Sequence, residues 1–76
     1  MTVTVYTLPN CVQCHATKHL LEQLGVEYVA VDLTEQPKMV KIFAEQNLTA
    51  APIVTYKDQI WSGFRYEKIK ALKRVH

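Results

Sequence analysis

The spacing of apolar residues changes from every second position to a helical spacing at the stretch that holds both cysteines. Alternating β-forming residues over Thr2 to Thr7 predict a strand, which Pro9-Asn10 ends. Helical spacing over Cys11 to Leu24 predicts a first helix, and Gly25 is a typical helix stop. Val26 to Leu33 is apolar enough for a second strand. A strand–helix–strand unit of this length favours parallel pairing with a right-handed crossover.

The predicted first helix has an apolar face and a polar face. Cys14 begins the apolar face, so its side chain is expected to be shielded. Cys11 stands in the exposed loop at the helix start and is expected to be accessible. With a rotation of about 100° per residue, the apolar face consists of Cys14, Ala16, Thr17, Leu20, Leu21 and Leu24, and the polar face of His15, Lys18, His19 and Glu22.

A second helix is predicted after the second strand. Thr34 is its predicted N-cap, and Pro37 falls in its first turn, where proline is favoured because the missing N–H would be unpaired anyway. The residues expected to share its inward stripe are Met39, Ile42, Phe43 and Gln46. The stretch over 47–52 that follows is predicted to be a loop.

The last third of the chain predicts a hairpin and a final helix. Ile53 to Tyr56 and Gln59 to Trp61 form two strands around a tight Lys57-Asp58 turn, although that turn contains no glycine. Ser62-Gly63 breaks the strand pattern. Arg65 to Val75 predicts a short basic helix, whose inward residues are Ile69 and Leu72.

The predicted order of elements is βαβαββα. Parallel strands followed by an antiparallel hairpin give a four-stranded mixed sheet with three helices on its faces, which is an α/β fold. With 76 residues there is room for one domain, which we place over 1–76. The pattern contains neither an internal repeat nor a linker.

Charge and composition narrow the functional classes. The net charge is +2, and Lys and Arg are spread over all three predicted helices without a dense cluster, so no nucleic-acid partner is expected. The start of the chain has neither a positive segment nor a long apolar run, so no secretory signal or membrane span is expected. These features predict a cytoplasmic, reducing environment, where a cysteine pair is more often catalytic or metal-binding than structural.

The two cysteines form a Cys-x-x-Cys motif, and its loop is too short to stabilise a fold. The thiolate is the nucleophile in thiol–disulfide exchange, and the unpaired N–H groups at a helix start favour it. We therefore predict that Cys11 attacks a partner disulfide and that Cys14, one turn later, resolves the mixed disulfide. The first predicted strand carries no carboxylate to take the Cys14 proton, so the base is unassigned.

Two other chemistries share parts of this motif. The stretch from Cys11 to His15 fits the c-type haem string Cys-x-x-Cys-His, but a core this small leaves little room for a porphyrin. His15 and His19, four residues apart, are potential metal ligands together with a cysteine. A copper-carrying module also places Cys-x-x-Cys before its first helix, but its order is βαββαβ. A metal-binding module therefore stays open as a non-enzymatic alternative, while we expect no metal and no bound cofactor.

Three features of the chain occur together: a first strand, Cys-x-x-Cys at a helix start, and a loop that ends in Ala51-Pro52 before a hairpin. In this combination the chain resembles the thioredoxin superfamily, specifically its glutaredoxin-sized members. The resemblance covers nearly the whole chain. It implies that Pro52 is cis and lies against the cysteine pair. Ala51 is then free to offer backbone hydrogen bonds to an extended partner segment.

Two stretches narrow the resemblance. Cys11-Val12-Gln13-Cys14 and Trp61-Ser62-Gly63-Phe64-Arg65 are similar to the signatures of the NrdH-redoxins. This implies a thiol–disulfide oxidoreductase that passes electrons from NADPH, through thioredoxin reductase, to class Ib ribonucleotide reductase. We expect it to act as a monomer. The partner-binding residues that the resemblance implies are Ala51, Pro52, Trp61, Ser62, Gly63, Phe64 and Arg65.

The final helix departs from that family, which commonly has Phe-Arg-Pro-Asp where this chain has Tyr66-Glu67 after Phe64-Arg65. A slightly looser helix start is expected, because proline is favoured there. Trp61 has two equally weighted interpretations, as core or as part of the partner surface. Phe64, between a glycine and an arginine at a helix start, is expected to be exposed, as a transient docking patch requires.

A glutathione-dependent glutaredoxin is the runner-up. Glutaredoxins typically carry a Lys or Arg just before the cysteine pair, which suits anionic glutathione, and a Gly-rich, Asp-bearing helix start near the end. Here the approach, Thr7-Leu8-Pro9-Asn10, is uncharged, and Gly63 is followed by the bulky Phe64. Poor activity with glutathione is therefore expected.

Overall fold

A computed structural model describes residues 2–75, with side chains through Lys73; Met1 and His76, the ends of the predicted domain, lie outside the described residues. The strands are β1 (Val3–Thr7), β2 (Tyr28–Asp32), β3 (Ile53–Tyr56) and β4 (Gln59–Ser62). The helices are α1 (Val12–Gln23), α2 (Pro37–Glu45) and α3 (Tyr66–Val75), and one 3₁₀ turn spans Leu33–Glu35. The predicted order βαβαββα is confirmed.

The four strands form one mixed sheet in the order β2-β1-β3-β4. β1 pairs in parallel with β2, while β3 is antiparallel to both β1 and β4. The tight hairpin turn is made without glycine, because Lys57 adopts a positive φ of 54°. The predicted α/β class, with a mixed four-stranded sheet and three helices, is confirmed.

Alternation along the strands divides the core between the two faces of the sheet. On one face, α1 and α3 cover a cluster made of Val3, Val5, Leu21, Val26, Val54, Tyr56, Trp61, Ile69 and Leu72. On the other face, α2 covers Leu33, Phe43 and Ile53, with Tyr6 in edge-to-face contact with Phe43 at 4.9 Å between ring centroids. The predicted inward residues of the final helix, Ile69 and Leu72, are confirmed as buried.

The predicted N-cap of the second helix is wrong. Asp32 accepts hydrogen bonds from the Thr34 amide (2.9 Å) and hydroxyl (2.7 Å), and so caps the 3₁₀ turn instead. A separate turn therefore precedes α2, which begins at Pro37 after Gln36. The early turn also shortens the second strand, which ends at Asp32 rather than at Leu33. Proline in the first turn is confirmed.

The predicted inward stripe of α2 was too broad. Phe43 is buried and Met39 packs against it, but Ile42 is 44% exposed and Gln46 lies beyond the end of the helix. Residues 42 and 43 point about 100° apart around the helix axis, and this short helix buries a narrow face. Among the described residues, no helix combines the length and the apolarity that a membrane crossing requires.

Candidate redox site

Cys11 is the N-cap of α1, so its sulfur lies at the open start of the helix. Its backbone is extended (φ −100°, ψ 108°), and the preceding Asn10 has a positive φ of 60° that turns the chain into the helix. The Cys14 amide donates a hydrogen bond to the Cys11 sulfur at 3.1 Å. Backbone N–H groups directed at an N-cap favour negative charge there. The helix start therefore supplies the donor that a thiolate needs.

Cys11 and Cys14 form a disulfide, with their Cα atoms 5.2 Å apart. The two cysteines differ in access: Cys14 is 1% exposed, whereas Cys11 is partly exposed. Cys14 faces inward with Thr17 and Leu21, which are also buried. The predicted shielding of Cys14 is confirmed. A partner can approach this disulfide from the Cys11 side only.

The loop before β3 places backbone polar groups beside the disulfide. The Ala51–Pro52 bond is cis, as the family resemblance implied. The Ala51 carbonyl oxygen lies 3.8 Å from the Cys11 sulfur, and Pro52 is buried. Residues 40 positions apart in the chain thus meet at one sulfur.

The segment from Ser62 to Arg65 is bonded to the cis-proline loop. The Ser62 hydroxyl donates to the Ala50 carbonyl at 2.5 Å, and the Gly63 amide donates to the Pro52 carbonyl at 2.7 Å. The Arg65 guanidinium donates from Nε to the Ser62 carbonyl at 3.2 Å, which fixes the entry into α3. Ser62 and Gly63 are thereby joined to the loop whose Ala51 carbonyl lies 3.8 Å from the Cys11 sulfur.

Gln13 bonds the same segment to the redox helix. Its Oε1 accepts a hydrogen bond from the Phe64 amide at 3.2 Å, across a separation of 51 residues. Gly63, with a positive φ of 84°, lets the chain turn where this bond forms. Sequence reasoning missed this role of Gln13, and the only signal for it was an amide side chain between the two cysteines.

The two aromatic residues of this segment have different environments. Trp61 is 4% exposed and belongs to the core under α1 and α3. Its buried side chain belongs to the core, which is one of the two interpretations of this residue. Phe64 is 38% exposed, in agreement with its predicted exposure.

Two concave surfaces lie on the described part of the chain, one against α2 and one along α1. A groove of about 130 Å³ lies beside the cis-proline loop and is lined mainly by apolar side chains, including Leu8, Phe43, Leu48 and Ile53. A wider cleft of about 630 Å³ follows the polar face of α1, where Val12 is 81% exposed. Val12, directly after Cys11 in the chain, thus presents an exposed apolar side chain at the start of α1.

The polar cleft has no metal-ligand constellation. Its far end holds a hydrogen bond of 2.5 Å from the Tyr28 hydroxyl to Glu22. Burial, followed by that bond to Glu22, raises the pKa of Tyr28 to about 12. His15 and His19 are exposed, and no group of three potential ligands converges anywhere among residues 2–75.

Comparison with known proteins finds similarity to glutaredoxin-like proteins. The glutaredoxin family model matches residues 3–61. The glutaredoxin-like protein NrdH of Salmonella typhimurium is 40% identical over 72 residues, which cover 95% of this chain and 89% of that protein. The Escherichia coli K12 protein of the same name is 36% identical with the same coverage.

Solved structures agree with the sequence relatives. NrdH-redoxin from Escherichia coli, described as having a thioredoxin-like activity profile, superposes with a TM-score of 0.90 at 36% identity over 95% of both chains. A glutaredoxin from Archaeoglobus fulgidus gives a TM-score of 0.79 at 27% identity, over 95% of this chain and 85% of that one. Both structures share the fold of this chain.

Proposed function

Because this chain belongs to the glutaredoxin family, among the NrdH-type glutaredoxin-like proteins, we propose that it is an electron carrier whose reactive dithiol is Cys11 and Cys14. It is a thiol–disulfide oxidoreductase. What supports the assignment of these two cysteines is their disulfide at the start of α1, with Cys11 partly exposed and Cys14 buried. A nucleophile needs access, whereas a resolving thiol needs only to reach its neighbour.

The reaction we propose has two exchange steps. In the first, the Cys11 thiolate attacks one sulfur of a partner disulfide; the partner bond breaks, a mixed disulfide forms and the other partner sulfur leaves as a thiolate. In the second, Cys14 gives its proton to the partner thiolate released in the first step and attacks the Cys11 sulfur. The mixed disulfide breaks and the Cys11–Cys14 bond forms. The second partner sulfur leaves as a thiolate that takes a proton from water, so the partner has gained two electrons. The Cys14 amide, 3.1 Å from the Cys11 sulfur, supports the thiolate that begins the cycle.

The partner surface we propose surrounds Cys11. An extended partner segment would pair with the backbone at Ala51, next to cis Pro52. Such main-chain hydrogen bonds do not depend on the side chains of the partner, so they can form with any sequence around the partner's disulfide. Its side chains would meet the segment from Ser62 to Arg65, above all the exposed Phe64. The hydrogen bonds of Ser62 and Gly63 to the cis-proline loop support this, because they hold the two parts of the surface together.

The partners we propose are thioredoxin reductase as electron donor and class Ib ribonucleotide reductase as acceptor, both met by a monomer in the cytoplasm. The thioredoxin-like activity profile of the similar Escherichia coli protein supports the donor. The Phe64 amide also argues against glutathione as the donor. It already donates a hydrogen bond to Gln13, so it is not free to bind an anionic ligand. The uncharged approach to Cys11 adds no attraction for glutathione.

One comparison of electron donors tests this proposal. Oxidised protein is incubated with NADPH and either thioredoxin reductase or glutathione with glutathione reductase, and NADPH consumption is followed with a disulfide substrate. We expect rapid turnover with thioredoxin reductase and at least about tenfold less with glutathione. The Cys11→Ser variant is the blank for both arms. Preferential turnover with glutathione would replace this function by that of a glutathione-dependent glutaredoxin.

A further inference from the structure

A buried hydroxyl on α1 lacks a hydrogen-bond partner. Thr17 is 0% exposed, and its Oγ1 finds no partner among residues 2–75. A threonine inside a helix usually bonds back to the carbonyl four residues earlier, which here belongs to Gln13, but that bond is not formed. A buried hydroxyl without a partner is costly, so it calls for an explanation such as an unmade contact in another state of the protein.

Thr17 lies beside the resolving cysteine. It follows Cys14 by three residues on α1, and both side chains are on the buried face of that helix. Side chains three apart on a helix are neighbours, and each leans towards the helix N-terminus. The Thr17 side chain therefore lies over the turn that carries Cys14. In the oxidised protein the Cys14 sulfur is drawn towards Cys11 by the disulfide.

We propose that the Thr17 hydroxyl is the hydrogen-bond partner of the Cys14 sulfur whenever the disulfide is open. This rests on the proposed function, in which Cys14 is the resolving thiol. A free thiol both donates and accepts weakly, and a thiolate accepts more strongly, so the opened Cys14 offers Thr17 the partner that it lacks in the oxidised state. Thr17 then stabilises the reduced form and the attacking thiolate.

The hydroxyl changes none of the atoms exchanged in the reaction. As Cys14 gives up its proton to the partner thiolate released in the first step, Thr17 donates its hydrogen bond to the Cys14 sulfur and keeps its own proton. When Cys14 attacks Cys11, the new sulfur–sulfur bond forms, the Cys11–partner bond breaks and the partner thiolate leaves with the electron pair. The Thr17 hydrogen bond is then lost, which returns the protein to the state seen here.

The sign of the effect on the redox equilibrium follows from both states. Replacing the hydroxyl with a methyl group of similar size relieves an unpaired buried polar atom in the disulfide form. In the dithiol form, the same replacement removes a hydrogen bond. Both changes favour the disulfide form, so the reduction potential falls. A residue that serves packing alone would change the stability of the two forms equally and leave the potential unchanged.

The test is the reduction potential of Thr17→Val, measured by equilibration with a thiol–disulfide buffer and quantified from alkylated fractions. We expect the equilibrium constant to shift about tenfold towards the disulfide, which for a two-electron couple is about 30 mV lower. Thr17→Ser keeps the hydroxyl and should stay within about twofold of the wild type. Thr4→Val is the matched control, because it makes the same replacement at a half-buried threonine on the α2 side of the sheet. It should not shift the reduction potential.

Each outcome has one interpretation. An unchanged potential in Thr17→Val, with a wild-type protein that equilibrates normally, would overturn the role of Thr17 and leave the proposed function intact. A wild-type pair that forms no reversible disulfide would instead contradict the proposed function. If Thr17→Val does not fold, Thr17→Ala against Thr17→Ser makes the same comparison, because both are smaller than threonine and only one keeps the hydroxyl. Equal potentials for that pair would also overturn the inference.

Discussion

At the scale of single residues, the site depends on side chains whose partners are far away in the chain. Gln13 bonds to the Phe64 amide, and the Ser62 hydroxyl bonds to the Ala50 carbonyl. Periodicity and motif spacing predict which face a residue occupies, but not which distant amide it will meet. The cysteines were found from their spacing, whereas the role of Gln13 required the folded chain.

Tyr28 gives a prediction about pH. Its pKa is raised from 10.0 to about 12, mainly by burial and then by the hydrogen bond to Glu22, so the folded state keeps the proton more tightly than the unfolded state. The resulting contribution to stability is complete below pH 10 and is lost as the pH rises through about 12. The midpoint of denaturant unfolding should therefore fall less between these pH values in Tyr28→Phe than in the wild type.

An ultraviolet titration of tyrosinate provides the direct measurement. The chain has four tyrosines, and the step near pH 12 should disappear in Tyr28→Phe. Tyr66→Phe, which removes an exposed tyrosine, should leave that step in place. Survival of the step in Tyr28→Phe would show that another group causes it.

At the scale of elements, the sequence predicted types and order well and boundaries less well. The change of hydrophobic period separated β1 from α1, and both strands of the hairpin were predicted on either side of the Lys57-Asp58 turn. Thr34 and Asp32 are both good capping residues, and they lie two positions apart. Asp32 is the cap because β2 ends there and the 3₁₀ turn begins at the next residue, which the sequence pattern did not show. Ile42 is as apolar as its buried neighbour Phe43, so hydrophobicity alone could not show which of them α2 turns inward.

Two glycines allow backbone strain to be separated from function. Gly63 and Gly25 both have a positive φ, 84° and 73°, so alanine at either position should lower the free energy of unfolding by about 1–2 kcal/mol. Only Gly63 adjoins the site: a Cβ there would lie 3.6 Å from the Gln13 Oε1, whereas at Gly25 it would meet no atom of the described residues within 4 Å. A distance of 3.6 Å is ordinary van der Waals contact, so the Cβ itself would not clash. Relief of the backbone strain at Gly63 would move the adjoining Phe64 amide, so Gly63→Ala should also weaken the bond between Gln13 and Phe64.

The measurement pairs denaturant unfolding with turnover by thioredoxin reductase. Gly25→Ala should lose stability and keep its turnover under conditions where it is folded. Gly63→Ala should lose a similar amount of stability and several-fold in turnover. Equal turnover in the two variants would mean that the segment from Ser62 to Arg65 does not contribute to the partner surface.

At the scale of the whole molecule, the fold brings three separate segments together at the start of α1. The start of α1 presents Cys11, the cis-proline loop places the Ala51 carbonyl 3.8 Å from it, and the segment before α3 closes onto both. The family resemblance found from the sequence is confirmed by relatives at 36–40% identity. It identified the cis proline, which the residues alone would have left as an ordinary turn.

The most direct test of the division of labour between the two cysteines is a trapping experiment. Reduced Cys14→Ser and Cys11→Ser are each mixed with a disulfide-containing partner, and the products are analysed by mass spectrometry without reductant. Because Cys11 is partly exposed and Cys14 is 1% exposed, Cys14→Ser should accumulate a mixed disulfide through Cys11, and Cys11→Ser should form almost none. Accumulation through Cys14 in Cys11→Ser, with none in Cys14→Ser, would contradict the account.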